Sequence, residues 1–128
     1  MTDKAIYIGR LGEKVALRFL RTNGYKIVDQ NKHQSHKEID IIAKNKEYLA
    51  FVEVKTRSVS VDLYSEYGTP ASAVTLAKQR HLIAAARSYL ADNPTKLQIR
   101  MDVIEIYLDK NTKKVLKINH IENAYYSR

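Results

Sequence analysis

Two apolar runs, Glu38-Ile39-Asp40-Ile41-Ile42-Ala43 and Phe51-Val52-Glu53-Val54-Lys55-Thr56-Arg57, decide how this chain is read. Both are rich in β-branched residues, and the polar link Lys44-Asn45-Lys46-Glu47 between them predicts a β-hairpin. With Asn45-Lys46 as its turn, Glu38 faces Glu53 and Asp40 faces Phe51. Residues two apart on a strand share a face. Glu38, Asp40, Phe51, Glu53, Lys55 and Arg57 are therefore predicted on one side, and Ile39, Ile41, Ala50, Val52 and Val54 on the other. Asp40 and Glu53 become diagonal neighbours with backbones about 7–8 Å apart, so their carboxylates can converge on one cation. A three-residue loop would instead send the two acids to opposite faces.

A strand that only fills a core does not need charges at this spacing. Hard divalent cations take oxygen ligands, and Mg²⁺ is often held by one or two carboxylates with water and substrate phosphate. Asp40 and Glu53 meet that requirement, and the backbone carbonyl of Val54 is a third candidate ligand. A cation there would polarise a phosphodiester and acidify a bound water. Lys55 would orient or deprotonate that water and offset charge building on phosphorus. The opposing reading is a solvated or ion-paired face. Glu-x-Lys alone is common on edge strands, and Asp40 at hairpin distance is what distinguishes this pattern.

Working outward, the chain has 128 residues, which predicts one domain, 1–128, with a core of its own. No cysteine is present, excluding a disulfide framework, a thiol nucleophile and a thiolate metal site. No run approaches membrane-spanning length, so the expected location is the cytoplasm, with no membrane partner. Twenty-two Lys and Arg against fourteen Asp and Glu leave a net charge of +8. That excess favours polyanions such as nucleic acid, because neutralising phosphates releases counterions.

Apolar Ile8, Leu11, Val15, Phe19 and Leu20 recur at helical spacing, predicting a helix from Asp3 to Asn23 that stops at Gly24. Gly9 and Gly12 inside it each cost about 1 kcal/mol relative to Ala. With Glu13 and Ala16 they mark one face, expected to press closely onto a sheet. Tyr25–Gln30 alternates as a first strand, and the basic stretch Asn31–Lys37 is expected as a loop or frayed end. His33 and His36 are read as solvated. Ser58–Gly68, with Tyr64 and Tyr67, is expected as a mobile loop. Thr69-Pro70 predicts the start of a second helix reaching about Ala91 and closed by Asn93-Pro94. Its Lys78 lies near the charged end of the hairpin and is otherwise an ordinary solvated lysine. Strands are predicted at Leu97–Leu108 and Lys114–Ile121, with a loose tail from Tyr125. The order αβββαββ gives an α/β sandwich with a mixed sheet flanked by helices.

The blocks Gly9-x-x-Gly12-Glu13-x-x-Ala16, Glu38-Ile39-Asp40-x-Ile42-Ala43, Phe51-Val52-Glu53-Val54-Lys55-Thr56-Arg57, Gly68-x-Pro70, Lys78 and Arg100-x-Asp102-Val103 span most of the chain. Together they resemble the YraN-type family of bacterial proteins. Asp40 with Glu53-x-Lys55 is similar to the signature of the PD-(D/E)xK nuclease superfamily, to which archaeal Holliday-junction resolvases belong. The resemblance implies a restriction-endonuclease-like three-layer sandwich and an Mg²⁺- or Mn²⁺-dependent nuclease acting on branched or otherwise structured DNA. It assigns Asp40 and Glu53 to the metal, Lys55 to catalysis and Glu13 to the helix-borne glutamate of the resolvase-like branch. Glu38, Arg57, Lys78 and Lys37 are expected as supporting or nucleic-acid-binding residues. Resolvase-like nucleases often act as dimers, since two symmetric cuts need two sites, so a homodimer is consistent with the resemblance. Two positions depart from the pattern: Lys37 stands where a glycine usually precedes the Glu-Ile-Asp block, and Met101 where the strand usually has Phe. The alternative expectation is a catalytically silent nucleic-acid-binding module, or a subunit dependent on a partner.

Overall fold

The computed structural model describes residues 2–60 and 74–125. Its elements follow the expected order: α1 (Asp3–Thr22), β1 (Lys26–Gln34), β2 (Lys37–Lys44), β3 (Tyr48–Val59), α2 (Leu76–Asp92), β4 (Gln98–Asp109) and β5 (Val115–Tyr125). The strands form one sheet in sequence order. β3 and β4 are parallel, and every other pair is antiparallel. α1 covers one face and α2 the other, giving three layers with a core on each side. Such burial on both faces explains why β4 is inaccessible at nine successive positions, Arg100 to Leu108.

Local chemistry sets the boundaries. The Thr2 hydroxyl caps α1 by accepting from the N–H of Ala5. At its other end Gly24 has φ +87°, and the N–H groups of Gly24 and Tyr25 return to the carbonyls of Arg21 and Leu20. Glycine meets that left-handed requirement without strain. α1 buries Ile8, Ala16 and Leu20 against Ile41, Ala43, Ala50, Val52, Ile104 and Ile106. Each large aliphatic side chain so buried contributes about 1.5–3 kcal/mol. Gly12 is the point of closest approach, because a Cβ there would stand 2.7 Å from the Cβ of Thr56.

Several boundaries differ from the sequence expectation. Asn31–Lys37 is not a loop: β1 continues to Gln34, and Ser35 and His36, with φ of 50° and 64°, make the two-residue turn into β2. The described part of the second helix begins at Leu76, capped by Thr75, and Val74 and Thr75 precede it outside the helix. The expected start at Thr69-Pro70 and the tyrosines Tyr64 and Tyr67 lie outside the described residues. Ser58 and Val59 still belong to β3. Tyr125 is not part of a loose tail; it ends β5 and is buried in the α2-side core.

The hairpin itself turns one residue later than predicted. Lys44 pairs with Leu49 and Ile41 with Val52, so Lys46-Glu47 form the turn, held by the Asn45 side chain accepting from the N–H groups of Glu47 and Tyr48. The error shifts the register by two, which preserves the face of every side chain. Ile39 is the exception. It lies with Ile42 and Phe51 on the α2 side rather than with Ile41 on the α1 side. The phase of β2 changes at Asp40, just beyond the last β2–β3 pair.

Candidate active site

Continued one step past the Ile41–Val52 pair, the register sets Asp40 opposite Glu53 rather than diagonal to it. Asp40 Oδ2 accepts from the N–H of Val54 at 2.9 Å, tying the departing end of β2 to β3. A cleft of about 530 Å³ opens here between the sheet end and the N-terminal half of α1. Its walls include Gly9 and Glu13 from α1, Asp40 from β2, and Glu53, Lys55 and Ser58 from β3.

Glu53 is 6 % exposed. Its Oε1 lies 3.8 Å from Lys55 Nζ and 3.5 Å from Lys78 Nζ, the latter reaching in from the first turn of α2. Lys78, which sequence spacing alone would leave in solvent, is thus a site neighbour. Burial pushes the Asp40 carboxyl up to about 7, and the charges of Glu53 and Glu13 add to this against the Val54 hydrogen bond and Lys78. Burial also raises the Glu13 carboxyl, helped by Glu38 and Glu53 and opposed by Arg10. Three carboxylates therefore crowd a partly dry space in which both nearby lysines are engaged with the same one.

The fold does not bring every sequence candidate together. Glu38 sits at the rim, 3.4 Å from the ring of His33. The Asn31 side chain, oriented with its nitrogen inward, bridges Glu38 Oε1 and Glu13 Oε1 at 2.9 and 2.8 Å. Asn31 has φ 50°, a left-handed conformation that Asn tolerates. Nothing in the sequence pattern marks it, because it sits in the stretch expected as a loop. Arg57 turns to Glu105 of β4, with Nε 3.0 Å from Oε2. Lys37 is exposed beside the β1–β2 turn. Gly9 departs from the expected close contact: a Cβ there would meet nothing within 4 Å.

The donors present are carboxylate oxygens, suited to a hard divalent cation. Among the described residues no group of three or more His, Cys, Asp or Glu side chains encloses a metal position. A site of two carboxylates completed by water and phosphate does not require one.

A second polar cluster lies on the α1 side near the beginning of β4. Arg100 grips Asp102 through Nε and Nη2 and bonds the Tyr25 hydroxyl, while the His120 ring and the N–H of Asn123 also bond Asp102. β5 carries extra residues between its pairings with Met101 and Val103, and the Asp102 carboxylate occupies that irregularity.

Comparison with known proteins identifies the lineage. The family model described as "Uncharacterised protein family UPF0102" matches residues 12–106. A UPF0102 protein of Caldanaerobacter subterraneus subsp. tengcongensis is 41% identical over 119 residues, covering 92% of this chain and 93% of that protein. One from Chloroherpeton thalassium is 40% identical over 126 residues, covering 94% of each chain. A third, from Clostridioides difficile, is 40% identical over 118 residues, covering 91% of this chain and 95% of its own. No helix among the described residues is long and apolar enough to cross a membrane. A match of this extent means that the chain belongs to the UPF0102 family.

Proposed function

We propose that this protein is a divalent-metal-dependent nuclease that hydrolyses phosphodiester bonds in branched or otherwise structured DNA. The observation supporting it most is the crowding of Glu13, Asp40 and Glu53 in one cleft, with burial and mutual repulsion raising the Asp40 carboxyl. A cation relieves that repulsion, whereas among the described residues both lysines form their ion pairs with Glu53, and the charge of Lys78 only partly offsets the shift at Asp40. The net charge of +8 suits a polyanionic substrate.

Asp40 and Glu53 would hold Mg²⁺ or Mn²⁺, with the Val54 carbonyl as a further ligand. When bound, the ion would polarise the scissile phosphate and acidify a water. Val54 fixes Asp40 through its N–H, so the carboxylate is oriented before any ion arrives. Lys55, on β3 two residues after Glu53, orients the attacking water and stabilises charge on the phosphate oxygens. Glu13 approaches from α1, where it accepts the proton of that water or positions it. Glu38, Lys78, Lys37 and Arg57 would support the site or the strand bound to it. A homodimer would present two such clefts, as symmetric cleavage of a junction requires.

Incubation of the purified protein with labelled branched, flapped and linear DNA, with Mg²⁺ or Mn²⁺, tests the proposal. Asp40→Ala and Glu53→Ala should each abolish cleavage while leaving the protein folded. Cleavage that survives either substitution rejects the assignment. The net charge of +8 favours one second reading, a nucleic-acid-binding module without hydrolysis, since it suits a polyanion whether or not the chain cuts it. Salt-sensitive DNA binding with no heat of Mg²⁺ binding and no cleavage would establish it.

A further inference from the structure

Gly9 and Gly12 lie on the same helix, three residues apart, in opposite situations. Gly12 is required by the protein itself, because any Cβ there collides with Thr56. Gly9 meets nothing within 4 Å among the described residues and does not adopt a left-handed backbone. A glycine inside a helix is less stable than alanine, and neither packing nor backbone geometry accounts for it here. Its surroundings do: Gly9 lines the same cleft as Glu13, Asp40, Glu53 and Lys55. Positions 9 and 13 are one turn apart on one helix face, so a chain touching Gly9 continues directly to the acids. Across the cleft, the Ser58 hydroxyl is buried and has no hydrogen-bond partner among the described residues. Buried hydroxyls are ordinarily satisfied. Lys4 stands further along the same wall.

We propose that the cleft beside Gly9 is the track of the strand being cut: the sugar–phosphate backbone of nucleic acid passes against α1 at Gly9, and the half-buried Ser58 side chain rotates to donate its hydroxyl to a phosphate oxygen. Removal of the side chain at position 9 lets the backbone approach the helix closely. Contacts of this kind, a hydroxyl and a lysine on phosphates, position a strand without reading its sequence. Gly9 and Ser58 are positioning residues, and the inference rests on the nuclease reading above.

The test compares wild type with Gly9→Ala, Gly9→Leu and Ser58→Ala, using a fluorescently labelled four-way DNA junction as the probe. Binding is measured without divalent cation and cleavage with Mg²⁺. Gly9→Ala should raise the melting temperature while weakening junction affinity roughly tenfold, which is the size of one lost favourable contact. The loss should fall on KM, with kcat changed far less. Gly9→Leu should block binding, and Ser58→Ala should weaken it to a smaller extent than Gly9→Ala. A Gly9→Ala protein that binds and cuts as wild type does, or that melts at a lower temperature, overturns the inference. The first result leaves the nuclease reading intact. A wild-type protein that neither binds nor cuts the junction removes both.

Discussion

The sheet carries two groups of buried charge, and they are built in opposite ways. At the start of β4, Asp102 is fully buried, yet its two oxygens accept from Arg100, His120 and the Asn123 N–H. Burial alone would raise its pKa, but those hydrogen bonds hold it below the ordinary carboxylate range. Arg100, between the rings of Tyr25 and Tyr48 at 5.5 and 4.7 Å, is likewise held charged. Every charge in that cluster is answered from within the chain. Around Asp40 burial acts in the same direction, but the neighbours Glu53 and Glu13 add to it, and the Val54 hydrogen bond and the charge of Lys78 do not compensate. One cluster is complete as folded. The other keeps its carboxylates in mutual repulsion, a difference that the metal site proposed above would account for.

The largest effect should come from breaking the closed cluster. Asp102→Ala leaves Arg100 buried, at 5 % exposure, without its nearer counter-charge, and only Glu122 at 3.5 Å still faces it. Removing one member of such a pair costs about 3–5 kcal/mol, which urea unfolding measures directly. A loss of under about 1 kcal/mol would mean the network is not what fastens β5 and the β1 entry to the sheet, and the contrast would fail.

Breaking the open cluster should have the reverse sign. The Asp40 pKa is about 7 when folded, against an ordinary 3.8. The folded state therefore favours the proton. That contribution to stability is fully present below about pH 4 and is lost as pH rises through about 7. A tenfold difference in proton affinity between the folded and unfolded chains is worth about 1.4 kcal/mol. The metal-free protein should therefore lose on the order of 2–3 kcal/mol across this window, allowing for solvent screening. Asp40→Asn should flatten the profile and melt higher than wild type above pH 7. Added Mg²⁺ should raise the melting temperature of wild type at pH 8 and leave Asp40→Asn unchanged. Parallel pH profiles for the two proteins would show that Asp40 is already satisfied.

The same contrast governs what could be read from the sequence. Asp40, Glu53 and Lys55 were legible because strand alternation has period two, so a hairpin turn misplaced by one residue left every face correct. Ile39 was not, because the phase break at Asp40 arises where β2 separates from β3, and no propensity encodes it. Lys78 needed the packing of α2 to bring it within 3.5 Å of Glu53. Asn31 needed a left-handed backbone in a stretch that reads as a polar loop. Arg100 and Asp102 were visible as polar residues in an apolar strand, but their partners Tyr25 and His120 come from 75 and 18 residues away. Open sites announce themselves by local charge that the fold does not neutralise, and closed networks are assembled by long-range contacts.

Glu105 lies between the two cases and gives the finest test. It is fully buried in β4, one oxygen accepts from Arg57 Nε at 3.0 Å, and the other has no hydrogen-bond partner among the described residues. Glutamine in its place keeps the shape and an acceptor for Arg57. It weakens a charge-assisted bond, and it also removes the cost of burying a charge whose second oxygen is unanswered. These terms oppose each other, so Glu105→Gln should change unfolding free energy by less than about 1 kcal/mol. Asp102→Asn, whose donors all lose a full negative charge, should cost more. If Glu105→Gln is instead as damaging as Asp102→Asn, the unanswered oxygen contributes nothing to the energetics. Counting partners would then no longer separate closed charge from open charge in this sheet, and the crowding of Asp40 would have to be judged by its measured titration alone.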